Sequence, residues 1–114
     1  MKIGKRTVGA TDQDLEQLTS LFRLLSDKTR LNILFLLGEG ERNVTSLCDH
    51  LKLPQPTVSH HLGLLRMNNV IGNRRKGKQV FYSLNGQLDS VNREGLQVGL
   101  QNFLVNVAAK GAET

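Results

Sequence analysis

One cysteine, Cys48, stands in 114 residues. A single thiol excludes an intrachain disulfide framework and any zinc module built from several cysteines. The longest apolar run, residues 33–37, is far too short to span a bilayer. The first ten residues are polar and carry no apolar stretch of the kind that marks a secretion signal. These absences point to a soluble, cytoplasmic protein with no membrane partner. There is no Gly-rich phosphate loop, and His60 and His61 have no carboxylate or nucleophile at a useful spacing. The chain therefore reads as a non-enzyme, with no cofactor, catalytic residue or metal expected.

Acidic residues are missing from one long stretch. From His50 to Leu88 there are six basic residues (Lys52, Arg66, Arg74, Arg75, Lys76, Lys78) and none that is acidic. The rest of the chain holds nine basic residues against ten acidic ones, so the whole excess of a +5 chain sits in this segment. A merely solvated face mixes both signs. A one-signed stretch is the footprint of a surface for a polyanion.

The length fits one domain, with a long apolar terminal helix expected to complete its core by pairing between two chains. Residues 1–10 read as a flexible arm, 11–109 as the domain and 110–114 as a frayed tail. A first helix spans 11–25, with Thr11 as its cap and Leu15, Leu18, Phe22 and Leu25 at three- and four-residue steps. Ser26 or Asp27 caps a second helix that runs to about Leu37, so apolar around its circumference that it reads as central. Gly38 and Gly40 end it. A short third helix begins near Thr45, the turn Lys52-Leu53-Pro54 follows, and a fourth helix runs from about Gln55 to Asn68. Between residues 70 and 84 the period changes to two, and Lys76-Gly77-Lys78 makes the turn of a two-stranded hairpin with a basic tip. A last helix is expected over about 88–109. Its glycines, Gly95 and Gly99, would lie in a close helical seam with Phe103, facing the first helix.

A short helix, a tight turn and a second helix (residues 45–68), followed at once by a basic hairpin (70–84), make a winged helix-turn-helix: mostly α, with a small antiparallel hairpin. In the second helix of that pair, Val58, Leu62 and Leu65 form one anchoring side. Pro56, Ser59, His60, Gly63 and Met67 form the opposite arc, with Gln55 and Thr57 at the start. An uncharged arc is awkward for a solvated helix and apt for one that meets a duplex, where small polar side chains reach base edges. Arg74, Arg75, Lys76 and Lys78 at the hairpin tip would lie on the backbone or in a minor groove.

Residues 21–84 closely resemble the ArsR/SmtB family of winged-helix repressors. The matching text is Phe22-Arg-Leu-Leu-Ser-Asp-Lys-Thr-Arg-Leu-Asn-Ile-Leu, Val44-Thr-Ser-Leu-Cys-Asp-His-Leu, Gln55-Pro-Thr-Val-Ser-His-His-Leu and Gly77-Lys-Gln-Val-Phe-Tyr-Ser-Leu. It covers over half the chain in the family's order. The resemblance implies a homodimer that binds an inverted-repeat operator in double-stranded DNA and leaves it on an effector signal, here unidentified. It implies DNA contacts from Gln55, Thr57, Ser59 and His60 and from the wing. It also implies a dimer interface on the first and last helices, through Leu15, Leu18, Phe22, Leu96, Gly99 and Phe103. His61 would be a packing residue.

The departures are as informative. Where the family's metal sensors carry a Cys-Val-Cys run, this chain has Asn43-Val44-Thr45. The family's other site, in its final helix, keeps only Asp89, with Val91 two residues on and no histidine beyond His61. Both ligand sets are broken, which argues against sensing a soft or borderline metal there. Cys48 reads as a small apolar residue, since one chain holds no second thiol to pair with it. Pro54 stands where a serine cap is usual, and Gly63 where a basic or polar residue is frequent. Two other readings stay open: a sensor with a ligand site of another kind, and a winged module that binds protein instead of DNA.

Overall fold

The structure is a computed structural model that describes residues 9–111. Residues 1–8 and 112–114, expected as most of the arm and tail, lie outside the described residues. Helix α1 (Asp12–Leu25) is started by a capping box: the Thr11 hydroxyl accepts from the Asp14 N–H at 3.0 Å, and the Asp14 carboxylate accepts from the Thr11 N–H at 3.0 Å. Asp27 caps α2 (Lys28–Gly38), accepting from the Arg30 N–H at 2.9 Å. Asn43 does the same for α3 (Val44–Leu51), accepting from the Ser46 N–H at 2.8 Å. Helix α4 (Gln55–Met67) starts after Pro54 with no side-chain cap, as the sequence required. Lys52 ends α3 in the left-handed region (φ 59°), and Asn69 does so after α4 (φ 62°).

The core lies where these helices converge. Ile33, Leu34 and Leu37 of α2, Leu47 of α3, and Val58, Leu62 and Leu65 of α4 are buried together. The wing is the hairpin β2 (Ile71–Lys76) and β3 (Gln79–Leu84), paired in register from Ile71–Leu84 to Lys76–Gln79. Its two-residue loop begins at Gly77, whose positive φ of 65° a side chain would resist. A short strand, β1 (Arg42–Asn43), pairs with Tyr82 and Phe81 and makes the wing sheet three-stranded, order β1-β3-β2. That strand was not legible from two residues of sequence.

The segment expected as a last helix is a second antiparallel sheet. Strands β4 (Leu88–Asn92), β5 (Gly95–Gly99) and β6 (Leu104–Ala108) follow each other in simple order. The pairing lines up Leu88, Val98 and Val105 in one cross-strand row and Val91, Leu96 and Val107 in another, both on the core-facing side. Ser90, Gln97 and Asn106 make a polar row on the other face. Period two and β-branched valines thus win over the three- and four-residue spacing of the leucines. The two glycines are turn and strand residues, not a helical seam. Gly95 opens β5 at φ 133°, and a Cβ there would run into the Val107 carbonyl.

The second sheet joins the same core through Leu88, Val91, Leu96 and Val98. A Cβ on Gly38, at the end of α2, would run into the Val91 carbonyl, so α2 closes tightly on β4. The β5–β6 turn is tied to α1: Asn102 Nδ2 donates to Asp14 Oδ1 at 2.9 Å. Among the described residues, no helix is long and apolar enough to cross a membrane.

Candidate nucleic-acid interface

Helix α4 has two sides of opposite character. Val58, Leu62 and Leu65 are buried, while Gln55, Pro56, Ser59, His60, Gly63 and Met67 are exposed and Thr57 is half-buried. No described residue lies within 4 Å of the position a Cβ on Gly63 would take. The outward arc therefore stands free and is uncharged from Gln55 to Leu65; at the helix N-terminus Pro56 carries no N–H, and the Thr57 N–H donates to the Pro54 carbonyl at 3.1 Å.

His61 sits at the boundary, half-buried, and holds the helix to its neighbours. Arg30 Nη1 donates to His61 Nδ1 at 3.2 Å, so the ring's own proton belongs on Nε2. The same guanidinium donates from Nε to the Leu24 carbonyl at 2.7 Å. Arg30 thus ties the last turn of α1 and the start of α2 to the middle of α4. Asp27 Oδ2 is 3.8 Å from His61 Nδ1. The Arg30 N–H at the cap holds the Asp27 carboxyl below its ordinary pKa, with the charge of Arg30 adding to the effect. The sequence marked His61 as a supporting residue, but Arg30, 31 residues away, gave no signal.

On the wing, Arg75, Lys76 and Lys78 are exposed. Arg74 is exposed too but is already engaged: its Nε and Nη2 donate to the two Glu41 oxygens at 2.7 and 2.8 Å. Its guanidinium also lies over the Phe81 ring, 5.6 Å from the centroid. The Arg74 hydrogen bond is the main cause of a lowered Glu41 pKa, and Arg74 is correspondingly raised. The sequence names Arg74 as a DNA contact. The structure instead gives it a carboxylate partner that sequence reasoning missed. Strand alternation puts Arg74 and Lys76 on one face of the wing and Arg75 on the other. Asn43 Nδ2 donates to Gln79 Oε1 at 3.1 Å, fastening the start of α3 to the wing near its tip.

The positions where the resemblance placed metal ligands have other work. Asn43 is a helix cap, and Val44 packs against the core. Val91 is buried in β4, a strand and not a final helix. Cys48 is half-buried and packs against the core from α3. A groove of about 870 Å³ runs between α1, the end of α4 and the second sheet, with Gln13, Gln17, Asn68, Gln87 and Gln101 among its walls.

The residues expected at a dimer interface are not brought together on two helices. Leu15 and Phe22 are 48% and 54% exposed on α1, and Leu18 is half-buried. Leu96 is buried inside the chain's own core, Gly99 ends β5, and Phe103 is half-buried in the turn before β6. Among the described residues no last helix carries the second half of that seam.

With this geometry in place, comparison with known proteins is decisive. The model of the bacterial regulatory proteins of the arsR family matches residues 27–71, from the cap of α2 into the wing. The transcriptional repressor SdpR of Bacillus subtilis is 38% identical over 77 residues, which cover 66% of this chain and 86% of that protein. This chain belongs to the arsR family. HlyU from Vibrio cholerae superposes with a TM-score of 0.63 at 29% identity, over 67% of this chain and 83% of HlyU. A homodimeric winged helix-turn-helix DNA-binding domain from Mycobacterium bovis, solved by NMR, gives a TM-score of 0.61 at 29% identity, over 70% of this chain and 77% of that one. The arsR-family chain described here is thus a winged helix-turn-helix regulator and not an enzyme. The fold expected from its sequence holds in the four helices and the wing.

Proposed function

We propose that this protein is a transcriptional repressor that binds double-stranded DNA as a homodimer. Each α4 enters the major groove at one half of an inverted-repeat operator, with half-sites about 34 Å apart, and each wing lies on the adjoining backbone. Gln55, Thr57, Ser59 and His60 contact bases or nearby phosphates. Arg75, Lys76 and Lys78, joined by Arg74 when Glu41 lets it go, contact phosphates. Repression is steric, and an effector signal releases the dimer.

The observation that carries this reading is the free, uncharged arc of α4 followed in the chain by a cationic wing. Anchoring residues on the opposite side of α4 fix that arc outward. Two relatives agree in kind: SdpR is a transcriptional repressor, and the Mycobacterium bovis domain is homodimeric and DNA-binding.

The test is a set of binding titrations by fluorescence anisotropy, at several salt concentrations, on duplexes from upstream of the protein's own gene. Arg75→Ala or Lys78→Ala should weaken binding to all sequences alike and flatten the salt slope by about 0.9 each. Gln55→Ala or Ser59→Ala should change which sequences are preferred. The reverse pattern would overturn the assignment, and no binding by any of them would favour a protein partner.

A further inference from the structure

We infer that the free edge of β6 is the seam on which a second copy of this chain docks, by antiparallel pairing of β6 with its symmetry mate. The inference rests on the homodimer reading above and replaces the missing helical seam. Three observations meet on this strand.

The first is geometric. The Leu100 N–H bonds to the Phe103 carbonyl at 2.7 Å, closing the β5–β6 hairpin, and the Ala109 N–H bonds to the Glu94 carbonyl at 2.9 Å. Antiparallel pairs alternate between bonded and non-bonded. Between those two ends, Val98–Val105 and Leu96–Val107 are therefore the bonded pairs. Gly99–Leu104, Gln97–Asn106 and Gly95–Ala108 are the non-bonded ones. Leu104, Asn106 and Ala108 consequently turn their N–H and C=O groups to the far edge, where no other described strand pairs with them.

The second is the state of that edge. Natural edge strands are guarded by charges, prolines, bulges or covering elements. The opposite edge of this sheet is covered, since the end of α2 closes on the Val91 carbonyl of β4. Among the described residues the β6 edge has no such guard: residues 100–109 contain no charged residue and no proline, and the bulge in this sheet lies between Leu88 and Ser90 of β4. Two identical copies can meet there without like-charge repulsion.

The third is an uncovered apolar row. Leu88, Val91, Leu96 and Val98 on the core-facing side are buried, but Val107 on the same side is 54% exposed, and Leu104 on the other face is 60% exposed. A twofold axis through Asn106 sets Asn106 against its own copy as a bonded pair. Leu104 then faces Ala108 of the partner, and Val105 faces Val107 of the partner. This register satisfies the outward groups of all three residues on each chain. It also lays valine on valine over the exposed end of the row, so that two three-stranded sheets become one of six strands. Self-pairing about a twofold is necessarily antiparallel and closes after two copies.

The test is oligomeric state by analytical ultracentrifugation of the full chain. The wild type should sediment at twice the 12.7 kDa chain mass. Asn106→Pro removes the central outward donor and no bond to β5, so it should give a folded monomer, checked by circular dichroism. Should proline disturb the hairpin, Asn106→Lys puts like charges face to face and should also give a monomer. In a Cys48→Ser background, Asn106→Cys should oxidise to a covalent dimer, since bonded pairs stand about 5.5 Å apart at Cα, within disulfide reach. A monomeric wild type overturns the proposal. So does a dimer that survives both disrupting variants without cross-linking, which leaves the homodimer reading standing and moves the seam to the α1 face around Leu15 and Phe22.

Discussion

Glu41→Gln should make DNA binding tighter and more sensitive to salt. In the wild type both Glu41 oxygens accept from Arg74, at 2.7 and 2.8 Å, so this wing cation arrives at the duplex already answered by a carboxylate. The carboxamide keeps the shape and one acceptor but removes the charge. Arg74 is then free to neutralise a phosphate. Each phosphate neutralised on B-DNA contributes about 0.9 to the slope of log K against log salt, so one added contact steepens that slope by about 0.9. Between about 50 and 200 mM salt the variant should lose about 3.5-fold more affinity than the wild type does, starting from tighter binding at the low end. Fluorescence anisotropy with a labelled duplex across that range reads the slope directly. Adding Arg74→Ala to Glu41→Gln should restore the wild-type slope. Because the pair is exposed, the melting temperature should hardly move, which separates this effect from unfolding. An unchanged slope, or weaker binding by Glu41→Gln, would refute the reasoning and show that Glu41 presents Arg74 to DNA instead of withholding it.

Gly95→Ala should destabilise the protein by more than about 1 kcal/mol, because φ is 133° and the added carbon meets the Val107 carbonyl. Urea unfolding checks this, and wild-type stability would show that Gly95 does not hold this conformation against Val107. Gly63→Ala, on an open helical position, should raise stability by up to about 1 kcal/mol. A loss in thermal melting would mean that the arc is not free. Asp27 has its pKa lowered from 3.8 in the folded chain, so its contribution is complete above that value and is lost as pH falls through the lower folded value. Asp27→Asn should therefore be less stable than wild type at pH 7 and level with it at the acid end of a denaturation series. A gap that persists there would place the effect outside the charge.

The first two helices are announced locally: Thr11 and Asp27 sit one residue ahead of a helix and cap it, and the turn at Gly77 is required by its φ. Asn43 caps α3 in the same way, although the sequence placed that start near Thr45, and α4 begins with no side-chain cap. The anchoring side of α4 was equally plain, since Val58, Leu62 and Leu65 recur at helical steps. The stretch after Leu84 carries two periods at once. Leu96, Leu100, Phe103 and Val107 fit a helical stripe, on which the expected last helix rested, while Leu96, Val98, Val105 and Val107 fit strands. The glycines decided otherwise: Gly95 takes a left-handed φ at the head of a strand. Glu41–Arg74 and Arg30–His61 were illegible for a different reason. Each joins residues more than 30 apart, and only the folded chain brings them together.

Quantitative footprinting of the DNA upstream of the protein's own gene tests the central claim most directly. Two protected patches about one helical turn apart, centre to centre, both lost in Ser59→Ala at a concentration that saturates the wild type, are the expected result. Protection that is absent, or that spreads evenly along the fragment and ignores Ser59→Ala, would contradict the assignment of α4 as the element that reads the operator.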